Sequence, residues 1–271
     1  MIRVTNLSFS YHKEGKKVLD NINLHIKRGE FFSIIGVNGS GKSTLAKHFN
    51  AILLPSKGEV VVDGIDTKDR SKLWEIRKKV GMVFQNPENQ IVSSIVEEEV
   101  AFGLENLGCP SHEIRSRVKE ALKVVGLSEM GKRPTYALSG GEKQRLAIAS
   151  VLAMEPECIV FDEPTTMLDP VGRRDIANVI RHLRERLGIT IVYITHIMDE
   201  TVFSDRIAVM DGGRVVMNAS PYEVFSSVDA IERAGLELPV VPRLACMLAD
   251  MGHDFNKLPL TIEDLMVELC P

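Results

Sequence analysis

The chain has little cysteine, and no pair of cysteines lies close enough to act together. Cys109, Cys158, Cys246 and Cys270 are far apart, with no C-x-x-C among them. That spacing argues against a disulfide framework and a metal site, and it fits free thiols in a reducing cytosol. Long apolar runs are missing too. Nothing approaches the ~18 residues that a membrane-spanning helix needs. The most apolar stretch, Leu146 to Met154, is a candidate buried helix. The first residues carry no secretory pattern, because Arg3 and Asn6 sit in an alternating run that reads as a strand. A basic excess is absent: 37 acidic residues outnumber 33 lysines and arginines, for a net charge of −4. A nucleic-acid partner is therefore not expected. Internal repeats and low-complexity tracts are absent, and so is the dinucleotide fingerprint G-x-G-x-x-G, since Thr44 stands where its last glycine would fall. What remains is a globular composition, 44% hydrophobic and 26% charged over 271 residues. That length accommodates one large α/β domain plus an appendage.

The most informative stretch present is Gly36-Val37-Asn38-Gly39-Ser40-Gly41-Lys42-Ser43-Thr44. It fits the phosphate-binding pattern G-x-x-x-x-G-K-[ST]. The apolar run Phe31 to Ile35 precedes it and reads as a buried strand; Lys42 to Asn50 reads as a helix. In that context the glycines let successive N–H groups face an anion, and the helix N-terminus adds its positive end. Lys42 is expected to reach the β- and γ-phosphates of a nucleotide, and the Ser43 hydroxyl to ligate Mg²⁺.

Residues 2–11 and 18–28 alternate apolar and polar, predicting antiparallel strands joined by a turn from His12 to Lys17. On residues alone, Tyr11 at the edge of this turn is an ordinary strand-end aromatic. Its functional alternative is a face for an adenine ring, a contact of roughly 1–3 kcal/mol where bases stack on aromatics. Glu59 to Asp63 and Val80 to Phe84 are further strands, the second leading to Gln85 and a polar loop. Helical patterns fill Ser93 to Val125, with Ile114, Val118, Ala121, Leu122 and Val125 on one stripe. Leu138-Ser139-Gly140-Gly141-Glu142 opens another helix, apolar almost all round after Arg145. Its S-x-x-E is a capping box, and its glycines leave backbone N–H groups unshielded for an anion.

Cys158 to Glu163 is an apolar strand ending in two acids; Val171 to Leu187 is an amphipathic helix; Ile189 to Ile194 is a strand ending at Thr195-His196. Asp211-Gly212-Gly213 marks a tight hairpin. Alternating strands and helices predict a mainly parallel sheet covered on both faces, with an antiparallel flank. After about Ser226, Pro239, Pro242 and Pro259 punctuate short helical patterns, including Ile262 to Leu269. This reads as a C-terminal helical extension whose apolar stripe packs on the parent domain or meets a partner.

Ligands of open α/β sheets bind at strand carboxyl ends. There Asp162 is suited to hold Mg²⁺ through water opposite Ser43, and Glu163 to orient or deprotonate an attacking water, although on residues alone a helix-capping or solvated acid pair is an equal alternative. Gln85 can offer its carbonyl to the metal and its amide to water. His196 can donate to a γ-phosphate, although a lone histidine at such a position is more often structural.

With these motifs assembled, the chain resembles the ATPase subunits of ATP-binding-cassette (ABC) transporters. Walker A is Gly36 to Thr44, the Q-loop centres on Gln85, the signature is Leu138 to Gln144, Walker B is Ile159 to Glu163, the D-loop is Met167-Leu168-Asp169, and the switch histidine is His196. The resemblance covers residues 1–225. It implies an α/β fold: a P-loop NTPase (RecA-like) core, an antiparallel β flank, a helical signature subdomain at about 86–154, and the extension at 226–271. It also implies that Tyr11 stacks on adenine, that ATP and Mg²⁺ are the cofactors, and that ATP binds at the interface of a head-to-tail pair. In that pair Ser139, Gly140, Gly141, Glu142 and Asp169 would act across the interface. The segment from Gln85 into Gly103 would receive a coupling helix from a membrane protein.

Gln85 to Gln90, Val96 to Asn106, Thr166 to Pro170 and the C-terminal extension are more narrowly similar to energy-coupling factor ATPases. Those power uptake of vitamins or of cobalt and nickel. The implied partners are a second ABC ATPase subunit (a copy or a related chain), a transmembrane coupling protein and a small substrate-binding membrane protein. The implied location is the cytoplasmic face of the cell membrane. Glu142 replaces the commoner Gln of the signature, and Ile197 follows His196 where an acid is common. The rival readings are the ATPase of an ordinary ABC importer and a soluble iron–sulfur assembly ATPase. DNA-repair and ribosome-associated ATPases would need a long coiled coil or a second cassette, and the sequence has neither.

Overall fold

The computed structural model describes residues 1–12 and 15–270. Lys13 and Glu14, in the expected turn, lie outside the described residues. The chain begins with β1 (Ile2–Phe9), β2 (Leu19–Ile26) and β3 (Phe31–Ile35), followed by α1 (Lys42–Phe49). Next come β4 (Lys57–Val62), β5 (Ile65–Asp66), α2 (Leu73–Lys79) and β6 (Val80–Val83). Three helices are next in the chain: α3 (Val96–Asn106), α4 (Ser111–Val124) and α5 (Gly140–Leu152). Then β7 (Cys158–Asp162), α6 (Pro170–Leu187), β8 (Thr190–Ile194), β9 (Arg206–Asp211) and β10 (Arg214–Ala219) complete the strands. The chain closes with α7 (Pro221–Ser226), α8 (Val228–Arg233), α9 (Val240–Asp250) and α10 (Ile262–Leu269).

The strands form two sheets. One is antiparallel, in the order β2-β1-β4-β5; the other runs β10-β9-β3-β8-β7-β6. In the second, β9, β3, β8, β7 and β6 are parallel, and only β10 pairs antiparallel, through the hairpin at Gly212-Gly213. The expected parallel sheet with an antiparallel flank is therefore present.

Strand β7 is buried along its whole length, and its alternation shows why. Ile159 and Phe161 face a core shared with α3, α5 and α6. Cys158 and Val160 face a second core containing α1 and the antiparallel sheet. Side chains of a strand alternate between faces, so a strand covered on both sides must be apolar throughout. Burial also pushes the Cys158 thiol up to about 12, so it acts as a small apolar residue. A third core joins Ile35, Ile207 and Val209 of the sheet to Val224, Phe225 and Ile231 of α7 and α8. This cluster runs without a break across the sequence division expected near residue 226. Beyond it, α9 and α10 leave Val240, Met247, Ile262, Met266 and Val267 exposed. Among the described residues no helix is long and apolar enough to cross a membrane.

The order β3-β8-β7-β6 decides which loops become neighbours. It sets the segments after Ile35, Ile194, Asp162 and Val83 side by side at one edge of the sheet.

Candidate active site

The loop after β3 folds back on a helix that has no side-chain cap. Gly41 begins α1 at φ 102, and a Cβ there would lie 2.9 Å from the Val18 carbonyl oxygen, so glycine is required. Among the described residues no backbone acceptor takes the N–H groups of Lys42, Ser43 and Thr44. Lys42 is 4% exposed, and its Nζ donates to the carbonyls of Gly36 at 2.8 Å and Val37 at 3.0 Å. Burial holds its ammonium below the ordinary lysine range, opposed by the charges of Glu163 and Asp162. Unpaired amides and a partly desolvated cation fit a polyphosphate, which offers both with oxygen acceptors.

Ser43 donates its hydroxyl to Asp162 Oδ1 at 2.8 Å. Burial raises the Asp162 pKa, Ser43 lowers it and neighbouring Glu163 raises it further, with a net upward shift. Among the described residues no three His, Cys, Asp or Glu side chains form a metal cage. A hydroxyl and a carboxylate beside a phosphate loop instead suit a hard cation that keeps waters and takes phosphate oxygens, as Mg²⁺ does.

The raised Asp162 pKa has a defined sign for stability. The ionised carboxylate is disfavoured in the folded state. Its cost is therefore present at neutral pH and is relieved as pH falls through the raised value towards 3.8. Without nucleotide, Asp162→Asn is expected to be more stable at pH 7 by on the order of 1 kcal/mol, since the amide oxygen still accepts from Ser43. Thermal unfolding across pH checks this: the gain should shrink on acidification, and a gain that grows instead would contradict it.

Glu163 lies one residue beyond β7, in a left-handed conformation at φ 50, with its amide donating to Ile194 O at 2.9 Å. Such a backbone costs about 1–3 kcal/mol for a non-glycine residue and clusters at functional sites. Its carboxylate Oε2 collects Thr166 Oγ1 at 3.1 Å, His196 Nδ1 at 3.1 Å and Gln85 Nε2 at 3.4 Å. A carboxylate partner calls for the proton on His196 Nδ1. Gln85 and His196 each stand two residues past the end of their strands, β6 and β8, rather than at the strand ends themselves. A cleft of about 570 Å³ is lined by Asn38, Gly39, Gly41, Lys42, Ser43 and Thr44 together with Gln85, Glu163, Thr166 and His196. Beside it, Tyr11 is 54% exposed, its hydroxyl 3.1 Å from Thr44 Oγ1 and its ring edge-on to Phe9.

The signature residues are elsewhere. Ser139, Gly140, Gly141 and Glu142 form the N-terminus of α5 and do not line this cleft. The capping box is complete: Ser139 N donates to Glu142 Oε2 at 2.7 Å, and Glu142 N donates to Ser139 Oγ at 3.3 Å. The Ser139 amide holds the Glu142 carboxyl below its usual range. Asp169 caps α6, accepting from Gly172 N at 2.8 Å.

The sequence pattern that describes ABC transporters matches residues 19–166. The chain belongs to the ABC transporter family. An energy-coupling factor transporter ATP-binding protein of Clostridium novyi (strain NT) is 54% identical, over 100% of this chain and 98% of its own. A cobalt import ATP-binding protein of Syntrophus aciditrophicus is 46% identical over 99% and 96%. Among solved structures, cbiO1 from Clostridium perfringens, part of the ABC transporter complex cbiONQ, superimposes with a TM-score of 0.79 at 40% identity, covering 92% of this chain and 98% of that one. A dimeric ATP-binding cassette, MJ0796 bound to ADP and Pi, gives a TM-score of 0.73 at 35% identity over 82% and 99%. This ABC protein is thus an ATP-binding subunit of the energy-coupling factor type, an ATPase coupled to transport.

In this ABC subunit the structure adds Thr166, whose hydroxyl reaches Glu163 and which lines the cleft. In sequence it stood out only as the start of the Thr166 to Pro170 segment, without a role in the site. Val18 also lines the cleft, brought there by β2 and carrying no chemical signal in sequence.

Proposed function

We propose that this chain binds Mg-ATP in the cleft and hydrolyses it to drive an energy-coupling factor importer for a vitamin or a transition-metal ion. The observation that supports this best is the division of the motifs. Lys42, the Ser43–Asp162 pair, Gln85, Glu163 and His196 converge on one side, while Ser139, Gly140 and Gly141 cap a separate helix. A single chain therefore surrounds only part of a triphosphate. A second ATPase subunit, docked head to tail, would bring its own α5 N-terminus to the γ-phosphate, with Asp169 at the same interface.

In this reading the loop amides and Lys42 bind the β- and γ-phosphates, and Tyr11 stacks on adenine. Ser43, Asp162 and Gln85 hold Mg²⁺, whose contribution is to neutralise charge on the phosphates. Glu163 has three donors on Oε2 and none on Oε1 among the described residues, so Oε1 is the oxygen that accepts from the attacking water. His196 orients that carboxylate and faces the γ-phosphate.

The other partners are a transmembrane coupling protein, received by the segment from Gln85 to Gly103, and a small substrate-binding membrane protein. The chain would sit peripherally on the cytoplasmic face of the membrane. Mild-detergent purification of the tagged chain from its native membranes tests this. A second cassette ATPase, one coupling protein and small binding proteins are expected to co-purify. A dedicated pair of membrane domains would reassign the chain to an ordinary importer, and the absence of any membrane partner would overturn the reading of its partners.

A further inference from the structure

Glu200 follows His196 in the short turn Met198–Thr201 and makes an unusual set of bonds. Its Oε1 accepts from Thr165 Oγ1 at 2.7 Å. Its Oε2 accepts from Tyr193 Oη at 2.9 Å and from Thr195 Oγ1 at 2.8 Å. The Thr195 hydroxyl oxygen in turn accepts from Ile197 N at 3.0 Å. All three donors are nearly inaccessible: Thr165 and Thr195 are each 1% exposed and Tyr193 is 4% exposed.

These donors sit on the segments that matter. Thr165 belongs to the turn that leaves β7 through Glu163. Tyr193 and Thr195 lead out of β8 into His196, and Ile197 follows it. Glu163 and His196 themselves meet at 3.1 Å, with His196 exposed between buried Thr195 and half-buried Ile197. One carboxylate therefore ties together the backbones on both sides of that contact. A hydroxyl-to-carboxylate bond is stronger than a neutral one, and buried donors left without an acceptor are costly, so the arrangement resists rearrangement.

We propose that Glu200 is a positioning residue for ATP hydrolysis. Its carboxylate fixes the Thr165 turn against the Thr195–Ile197 turn and so sets the Glu163–His196 geometry. Glu200 does not line the cleft, so it acts through the turns it holds. The inference rests on the assignment of hydrolysis to Glu163 and His196.

The test uses the full-length chain in its purified transporter complex, with Glu200→Gln and, separately, Thr165→Val. Glutamine offers only one oxygen to three hydroxyls. Valine removes a single donor at nearly constant volume, and it carries the test if the first variant folds poorly. Both variants are expected to lower kcat by about 10-fold while ATP affinity stays within about 2-fold. In a His196→Ala background the same changes should cost little more, because the geometry they set is no longer used. An undiminished kcat in both variants would overturn the inference, and so would an equal fold-loss with and without His196. If Glu163→Gln turns over like the wild type, the underlying assignment fails. If Glu163→Gln is inactive but Glu200→Gln and Thr165→Val are not, only the inference fails.

Discussion

Glu163→Gln is expected to bind ATP normally and to hydrolyse it at least ~10²-fold more slowly. The binding elements lie apart from the change: the loop amides, Lys42 and the Ser43–Asp162 pair make no hydrogen bond to the Glu163 side chain. What changes is the set of donors on Oε2. Thr166, His196 and Gln85 all need an acceptor there, so a glutamine keeps its oxygen towards them and turns its NH2 group to the water. An amide in that position can neither accept the water's proton nor attract it by charge. Single-turnover hydrolysis by the assembled complex, with ATP affinity measured separately, checks the outcome. Turnover near the wild-type rate would remove Glu163 from the role of water-orienting base.

Ser139→Arg is expected to leave ATP binding to the separate chain intact and to lower turnover of the assembled pair by ~10²-fold or more. The serine lies outside the cleft that holds Lys42, so a bulky cation there cannot obstruct the chain's own phosphate loop. It would instead block approach to the triphosphate held by the partner. Loss of the N-cap alone costs about 1 kcal/mol and would appear in thermal unfolding, which separates local destabilisation from the effect on closure. Mixing Ser139→Arg with Lys42→Ala subunits gives a sharper result. A mixed pair pairs one intact lysine with one intact serine at a single site, so at most one site is competent. Full activity from the mixture would rule out composite sites.

The features legible in the sequence are those fixed by neighbours a few residues apart. The strand, glycine loop and helix from Phe31 to Phe49 arise from an apolar run and from backbone positions such as Gly41. The S-x-x-E box at Ser139 closes on itself, and its hydrogen bonds are those that the spacing dictates. The hairpin at Gly212-Gly213 and the all-round burial of α5 after Arg145 come from turn chemistry and from hydrophobicity. Even the paired acids Asp162 and Glu163 could be named from their place at the end of an apolar strand.

Only the tertiary structure decided which of these pieces meet. Ser43 and Asp162 bond because β3 and β7 both flank β8, an order set by burying apolar faces on two cores. The left-handed turn at Glu163, the three donors on its Oε2 and the clamp at Glu200 arise from the same strand order. Residues far apart in the chain carry no mark of one another in sequence. Their contact is chosen by non-local packing, while the motifs themselves were fixed by local backbone chemistry.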